Sequence, residues 1–221
     1  MLPRTAEELI TVGIINVDGQ KNCLREKAVM KTSGQINQKM KITDIHCPDF
    51  GTPDGILLRN LKYQDLEAFT GMRNDKRIYR CEPTFLAELQ GKPECALRAV
   101  MNMDFIRDRQ FINGIYETAD PDVLIGLAEF YDYKASGKVI SIGYRIRPEY
   151  WGHGIGSLTV HAMLDFIKDN TEVELVTAHV MPENKASSRC LLKNGFEYLI
   201  TKQEDWGHGK LTIVDVYTYD C

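Results

Sequence analysis

Between residues 139 and 170 the apolar pattern changes period across a loop of alternate glycines, and this dictates a strand that feeds a helix. Ile140, Ile142, Tyr144 and Ile146 alternate with Ser141, Gly143 and Arg145, the period of two that belongs to a strand. Ile155, Leu158, Ala162, Met163, Phe166 and Ile167 then recur at helical spacing up to Asn170. Pro148-Glu149-Tyr150-Trp151-Gly152-His153-Gly154-Ile155-Gly156-Ser157 joins the two. Glycines at 152, 154 and 156 let the backbone approach a ligand and turn several N–H groups toward one point. The positive end of the helix dipole lies at the same place, so the loop suits a pyrophosphate. A tight turn that needs positive φ is the other use of such glycines.

The common nucleotide patterns do not fit. A G-x-G-x-x-G fingerprint starting at Gly152 needs glycine where Ser157 stands. A P-loop needs Gly-Lys-Ser/Thr at its end, and the segment has no lysine.

Strand and helix signals continue on both sides. Ile56-Leu57-Leu58-Arg59 reads as a short strand, followed by a helix with Leu66, Phe69 and Met72 on one stripe. Residues 83–108 read as helical, interrupted at Gly91, with Pro93 suited to a first helical turn. Strands follow near 111–118 and 123–133, parted by Asp120-Pro121-Asp122. Val173 to Val180 is apolar on both faces, as in a central parallel-type strand. Asn184 can cap a helix over 185–194 that ends at Gly195, and closing strands are expected at 196–203 and 211–219. The class is α/β (α+β). Residues 1–54 differ in texture, polar and turn-rich, with a Thr5 to Glu8 capping box and an Asp18-Gly19 hairpin turn. They read as an extension with a small β meander, joined by the Pro/Gly-rich stretch 48–55 to a domain over 55–221.

A chain of 221 residues can build its own core, and 27 Lys+Arg against 31 Asp+Glu give a charge of −4. That balance argues against a partner held by phosphate neutralisation, so no nucleic acid is expected. No apolar run reaches membrane-spanning length and the N-terminus lacks a leader pattern, so a cytoplasmic protein without membrane attachment is expected. Six cysteines without a CxxC pair argue against a zinc site, and no metal is expected. Trp-Gly-His-Gly occurs at 151–154 and again at 206–209, but the second copy reads as a hairpin turn with no helix after it. A metal shared by His153 and His208 is therefore disfavoured, and His46, His161 and His179 default to packing or surface roles.

The loop at 148–157 pairs with a second block, Val180-Met181-Pro182-Glu183-Asn184-Lys185-Ala186-Ser187-Ser188-Arg189-Cys190-Leu191-Leu192-Lys193-Asn194-Gly195-Phe196. Together they resemble the GNAT superfamily of acyl-CoA N-acyltransferases. The resemblance is strongest to the branch of ribosomal-protein N-terminal acetyltransferases, whose members carry PEYWGxG and PENxxSxxxLxxxGF. It covers about residues 56–220 and leaves 1–54 unmatched. The family fold it implies is a mixed, mostly antiparallel sheet with two splayed parallel strands, flanked by helices. It implies acetyl-CoA as acyl donor and direct transfer to a primary amine, either a small molecule or a protein N-terminus. By resemblance, backbone N–H groups from Gly152, His153, Gly154, Ile155, Gly156 and Ser157 hold the CoA pyrophosphate. Trp151 stands where the superfamily usually has Gln or Arg. The Tyr144 to Ile146 backbone pairs with the pantetheine arm, and Asn184 bonds the pantetheine or caps its helix.

Branch members often carry a glutamate base where this chain has Ser141. Glu129 is the replacement candidate, since Glu129, Tyr131 and Tyr133 are expected on one strand face. Ser187 matches the serine placed to give the leaving sulfur a proton, with Tyr131 or Tyr144 as other donors. The missing glutamate also leaves open a CoA-binding sensor or assembly module without catalysis. A homodimer is a further expectation that the sequence does not decide.

Overall fold

The computed structural model describes residues 49–52, 55–81, 91–103, 105–206 and 211–221. The expected capping box, the Asp18-Gly19 hairpin, the helix over 83–90 and the turn at 207–209 lie outside the described residues.

Strands β1 (Phe50–Gly51), β2 (Ile56–Arg59), β3 (Phe111–Glu117), β4 (Gly126–Lys134) and β5 (Val139–Ile146) follow one another as antiparallel neighbours. Strand β6 (Leu175–Val180) lies parallel to β5, and β8 (Leu211–Asp220) sits between β6 and the edge strand β7 (Glu197–Asp205). The result is the expected mixed, mostly antiparallel sheet, eight strands wide among the described residues. The one parallel pair exists because a helix, α5 (Ile155–Asn170), carries the chain from β5 back to the start of β6.

Each face of the sheet has its own core. On one, Val160, Met163 and Ile167 of α5 pack on Phe130, Ile140, Ile142, Val176 and Ala178, joined by Leu191 of α6 (Lys185–Lys193). The other is covered by α1 (Leu66–Asn74), α2 (Lys76–Tyr79) and α3 (Pro93–Met101), whose Phe69, Met72, Ile78, Leu97 and Val100 meet Ile112, Tyr116 and Leu127. Pro93 opens α3, as its missing N–H requires. A short helix, α4 (Phe105–Asp108), leads into β3.

A buried polar knot ties the start of α1 to the sheet. Asp65 accepts a 2.7 Å hydrogen bond from the Tyr116 hydroxyl, and the Arg59 guanidinium lies 3.6 Å from the centre of the Tyr116 ring. Arg59 and Asp65 are 5% and 2% exposed, so this pair is held out of water. Burial and the bond to Asp65 push the Tyr116 hydroxyl far above its ordinary range.

One expectation about β4 fails. Between Tyr131 and Lys134 the strand advances three residues while β5 goes two, from Ser141 to Val139. Asp132 takes up the extra residue with φ of 59°. Such a bulge inverts the alternation beyond it. Tyr133 therefore leaves the face of Glu129 and packs in the α5 layer, its ring 6.0 Å from Phe105 and its hydroxyl 2.6 Å from Glu172.

Candidate functional site

The parallel ladder of β5 and β6 has only three rungs: Val139–Leu175, Ile140–Val176 and Ser141–Thr177. At the last, the hydroxyls of Ser141 and Thr177 share a 2.8 Å hydrogen bond, and both residues are 4% exposed. Beyond them β5 continues for five residues and β6 for three without pairing, so the sheet opens as a V. Arg147 donates its N–H to Ile125, which places the odd-numbered residues of β5 in bonded register with β4. By the same alternation the backbone groups of Ile142, Tyr144 and Ile146 point into the gap.

The gap leads to the glycine loop. Gly152 and Gly154 have φ of 85° and 81°, the left-handed region that glycine enters without penalty. Nothing lies within 4 Å of where a Cβ would stand at either one, so backbone conformation, not crowding, is what calls for glycine there. Gly154 is the N-cap of α5 and no side chain caps the helix. Its first N–H groups are therefore left for an anion. Trp151 and His153 are exposed, and the Trp151 indole N–H donates to the Ile146 carbonyl at 2.7 Å. Ile155 is buried and contributes only backbone to this rim. Asn194, at the end of α6, donates to the Ser157 carbonyl and hydroxyl at 3.1 Å each, fastening the first turn of α5. Gly156 has a different reason to be glycine: a Cβ there would lie 2.9 Å from the Tyr144 ring.

On the same side of the sheet, Asn184 caps α6 through its side-chain oxygen, 3.2 Å from the Ser187 N–H. Its amide nitrogen has no partner among the described residues. The Tyr144 hydroxyl stands 3.4 Å from Ser187 Oγ, longer than a settled O–H···O bond. The structure thus brings the residues expected around CoA to one rim: Tyr144, Ile146, Trp151 to Ser157, Asn184 and Ser187. The open helix start, the left-handed glycines and the unpaired strand edge fit a CoA-type pyrophosphate and pantetheine.

Glu129 and Tyr131 point to the opposite face, level with Gly143 and Ser141. Glu129 is not a free carboxylate. Arg145 donates to it at 3.1 Å, with side chains 7% and 17% exposed for Arg145 and Glu129. Its carboxylate also covers Gly143, where a Cβ would come within 2.6 Å of Oε1. Tyr79 of α2 borders the same patch. Burial pushes its hydroxyl up, while Arg73 and Arg145 act in the other direction. Further along this face an open cavity of about 540 Å3 lies between α1 and α2 and residues 122–124 and 147–149. Asp65, Glu67, Asp75, Asp122 and Glu149 line it together with Arg77 and Arg147.

Sequence reasoning passed over a second polar group here. His179 of β6 meets Glu204 of β7 at 2.8 Å through Nδ1, and Lys202 and the Trp206 indole also donate to that carboxylate, at 2.8 and 3.0 Å. Burial works to raise the Glu204 carboxyl, but these bonds outweigh it and hold it at about 2. The residues are 25 apart in sequence and on strands separated by β8, so no local spacing announces the pair. Among the described residues, no three or more His, Cys, Asp or Glu side chains are placed to hold a metal ion, and no helix is long and apolar enough to cross a membrane. His208 lies outside them.

Comparison with known proteins gives this geometry a context. Residues 56–197 match the family model described as an acetyltransferase (GNAT) domain. An uncharacterized N-acetyltransferase of Bacillus subtilis, YoaA, is 26% identical over 145 residues, which cover 65% of this chain and 80% of that protein. The fold resembles that of RimL, a ribosomal L7/L12 alpha-N-protein acetyltransferase solved with coenzyme A. The TM-score is 0.65 at 16% identity, over 78% of this chain and 98% of that one. It also resembles a spermidine N-acetyltransferase from Vibrio cholerae, solved with CoA and spermine. There the TM-score is 0.61 at 19% identity, over 75% of this chain and 95% of the other.

Proposed function

The chain belongs to the GNAT acetyltransferase family and is an N-acetyltransferase dependent on acetyl-CoA, and we propose that it moves the acetyl group directly to a primary amine in a ternary complex. The split of β5 from β6 beyond Ser141 and Thr177, beside an uncapped helix start, carries this reading. When bound, acetyl-CoA supplies the acetyl group as a thioester. Backbone N–H groups of Gly152 to Ser157 hold its pyrophosphate, and Tyr144 and Ile146 hold the pantetheine as an added strand would. Asn184 offers its amide nitrogen to the same arm. Ser187 and the Tyr144 hydroxyl keep a proton on the sulfur side, and a β5 N–H facing the gap serves the developing oxyanion.

The amine arrives from the other face, past Tyr131, Tyr79 and the Glu129–Arg145 pair. Such an amine must shed a proton first, since it is largely protonated at neutral pH. The cavity between α1, α2 and residues 147–149 has the size of a small-molecule site. Within its lining, Asp75 is bonded to Arg77 and Glu149 to Arg147. Among the described residues, Glu67 and Asp122 have no cationic partner, which favours a cationic acceptor. The cytosol, where acetyl-CoA is at hand, is the compartment this reading implies.

The test is CoA release from acetyl-CoA with spermidine and with a peptide bearing an N-terminal serine, alongside calorimetry of CoA. Binding plus turnover of either amine supports the proposal. Tight CoA binding with no turnover on a wide amine panel leaves the sensor or assembly reading, which the serine at 141 favours. Absence of CoA binding ends both.

A further inference from the structure

The acetyl-transfer reading needs a proton acceptor on the amine side, and Ser141, Thr177 and Glu129, the polar residues beside the split, are each engaged elsewhere. Ser141 and Thr177 are bonded to each other. Glu129 is held by the hydrogen bond from Arg145, so its carboxylate is already engaged. His179 stands two residues beyond Thr177 on β6, hence on the same face and on the wall of the V. Its burial neighbours agree: Val176, Ala178 and Val180 belong to the α5 core, leaving Thr177 and His179 to the amine side.

We propose that His179, oriented by Glu204, accepts the proton of the incoming amine; the assignment rests on the acetyl-transfer reading above. Glu204 takes Nδ1, so the neutral ring carries its proton there and leaves Nε2 as the acceptor. Glu204 lies toward β7, on the far side of β8, while β5 departs on the other side of β6. The geometry of an imidazole then turns Nε2 toward the cleft, where it has no hydrogen-bond partner among the described residues. Glu204 is itself fixed by Lys202 and Trp206, which gives the ring one orientation. Glu204 is a positioning residue, as it acts only through the imidazole.

The step balances. The ammonium gives one proton to Nε2, and the freed amine forms a bond to the acetyl carbon as the carbon–sulfur bond breaks. The nitrogen's second proton reaches the departing sulfur by way of Tyr144 and Ser187, and the imidazolium later returns its proton to water. Among the described residues, the charged groups on the face around His179 are Glu204 and Lys202 on β7, Arg145 on β5 and Glu129 on β4.

The experiment uses the full chain with spermidine and an N-terminal-serine peptide as probes. For the probe that turns over, His179→Gln is expected to lower kcat by about 10²–10⁴-fold, with CoA affinity by calorimetry within about twofold of the parent. Glu204→Gln should cost less and move the acid limb of the kcat/KM profile to lower pH, because the imidazolium loses its anion. A merely structural pair would not move that limb. A second arm needs no turnover: diethyl pyrocarbonate acylates neutral imidazole, and acetyl-CoA is expected to slow labelling of His179 severalfold, read by mass spectrometry. Activity of His179→Gln close to the parent's, or unslowed labelling while CoA binds, overturns the assignment and leaves the acetyl-transfer reading standing. A parent that binds no CoA overturns both. Should His179→Gln fail to fold, His179→Asn and the labelling of the parent decide.

Discussion

Ser141 and Thr177 join their hydroxyls at 2.8 Å on the last rung before the sheet splits. The bond is buried and marks where backbone pairing stops and ligand pairing is expected to begin. Thr177→Val removes one partner and leaves the Ser141 hydroxyl buried with less to bond, at a cost of about 1–3 kcal/mol. The double variant Ser141→Ala with Thr177→Val should recover most of that loss. Urea unfolding of the parent, both single variants and the double variant measures it.

Gly154→Val places a β-branched residue at φ of 81° in the loop. The surrounding space is open, so the change strains the backbone without a collision. CoA affinity should fall at least tenfold while the melting temperature drops by only a few degrees, as calorimetry and thermal unfolding will show. Unchanged affinity would remove the loop from the binding site.

Asp65→Ala should be among the most destabilising substitutions in the chain. It strands the Arg59 guanidinium, 5% exposed, against the Tyr116 ring with no anion beside it. A loss of about 3 kcal/mol or more in unfolding free energy is expected. Asp65→Asn keeps the hydrogen bond from Tyr116 and should cost less.

Glu204 links stability to acid. Its folded-state carboxyl is held at about 2, below its unfolded value, so its contribution is complete above about pH 5 and disappears as pH falls toward 2. Allowing for partial exposure, the effect is on the order of 1 kcal/mol. Glu204→Gln should therefore be less stable than the parent at pH 7, with the difference shrinking below about pH 4 and vanishing only as pH approaches 2. A difference that persists at low pH would mean packing, not charge, is responsible.

The glycine loop, the strand before it and the helix after it were legible because each is set by neighbours within a few residues. Ile140 to Ile146 alternate, Ile155 to Ile167 recur at helical spacing, and Asn184 caps α6 where its residue type predicts. The departures come from contacts distant in sequence. The bulge at Asp132 follows from the register of β4 on β5, and it removes Tyr133 from the face of Glu129. The Arg145 bond to Glu129 crosses two strands, and the His179 bond to Glu204 spans three. Histidine on a strand has no pattern that separates a packed ring from one aimed at a cleft; only the neighbouring strands decide it. The cavity behind α1 and α2 was invisible for the same reason, since its lining is drawn from four separate stretches of chain.

The chain has two tryptophans, and each is tied by its indole nitrogen to one side of the cleft. Trp151 bonds the end of β5 beside the glycine loop, and Trp206 bonds the carboxylate behind His179. Nearly all intrinsic fluorescence therefore originates at the donor rim or at the amine face. Replacing one indole with phenylalanine leaves a protein that reports on the other alone, so the arrival of each substrate can be timed separately without any attached dye.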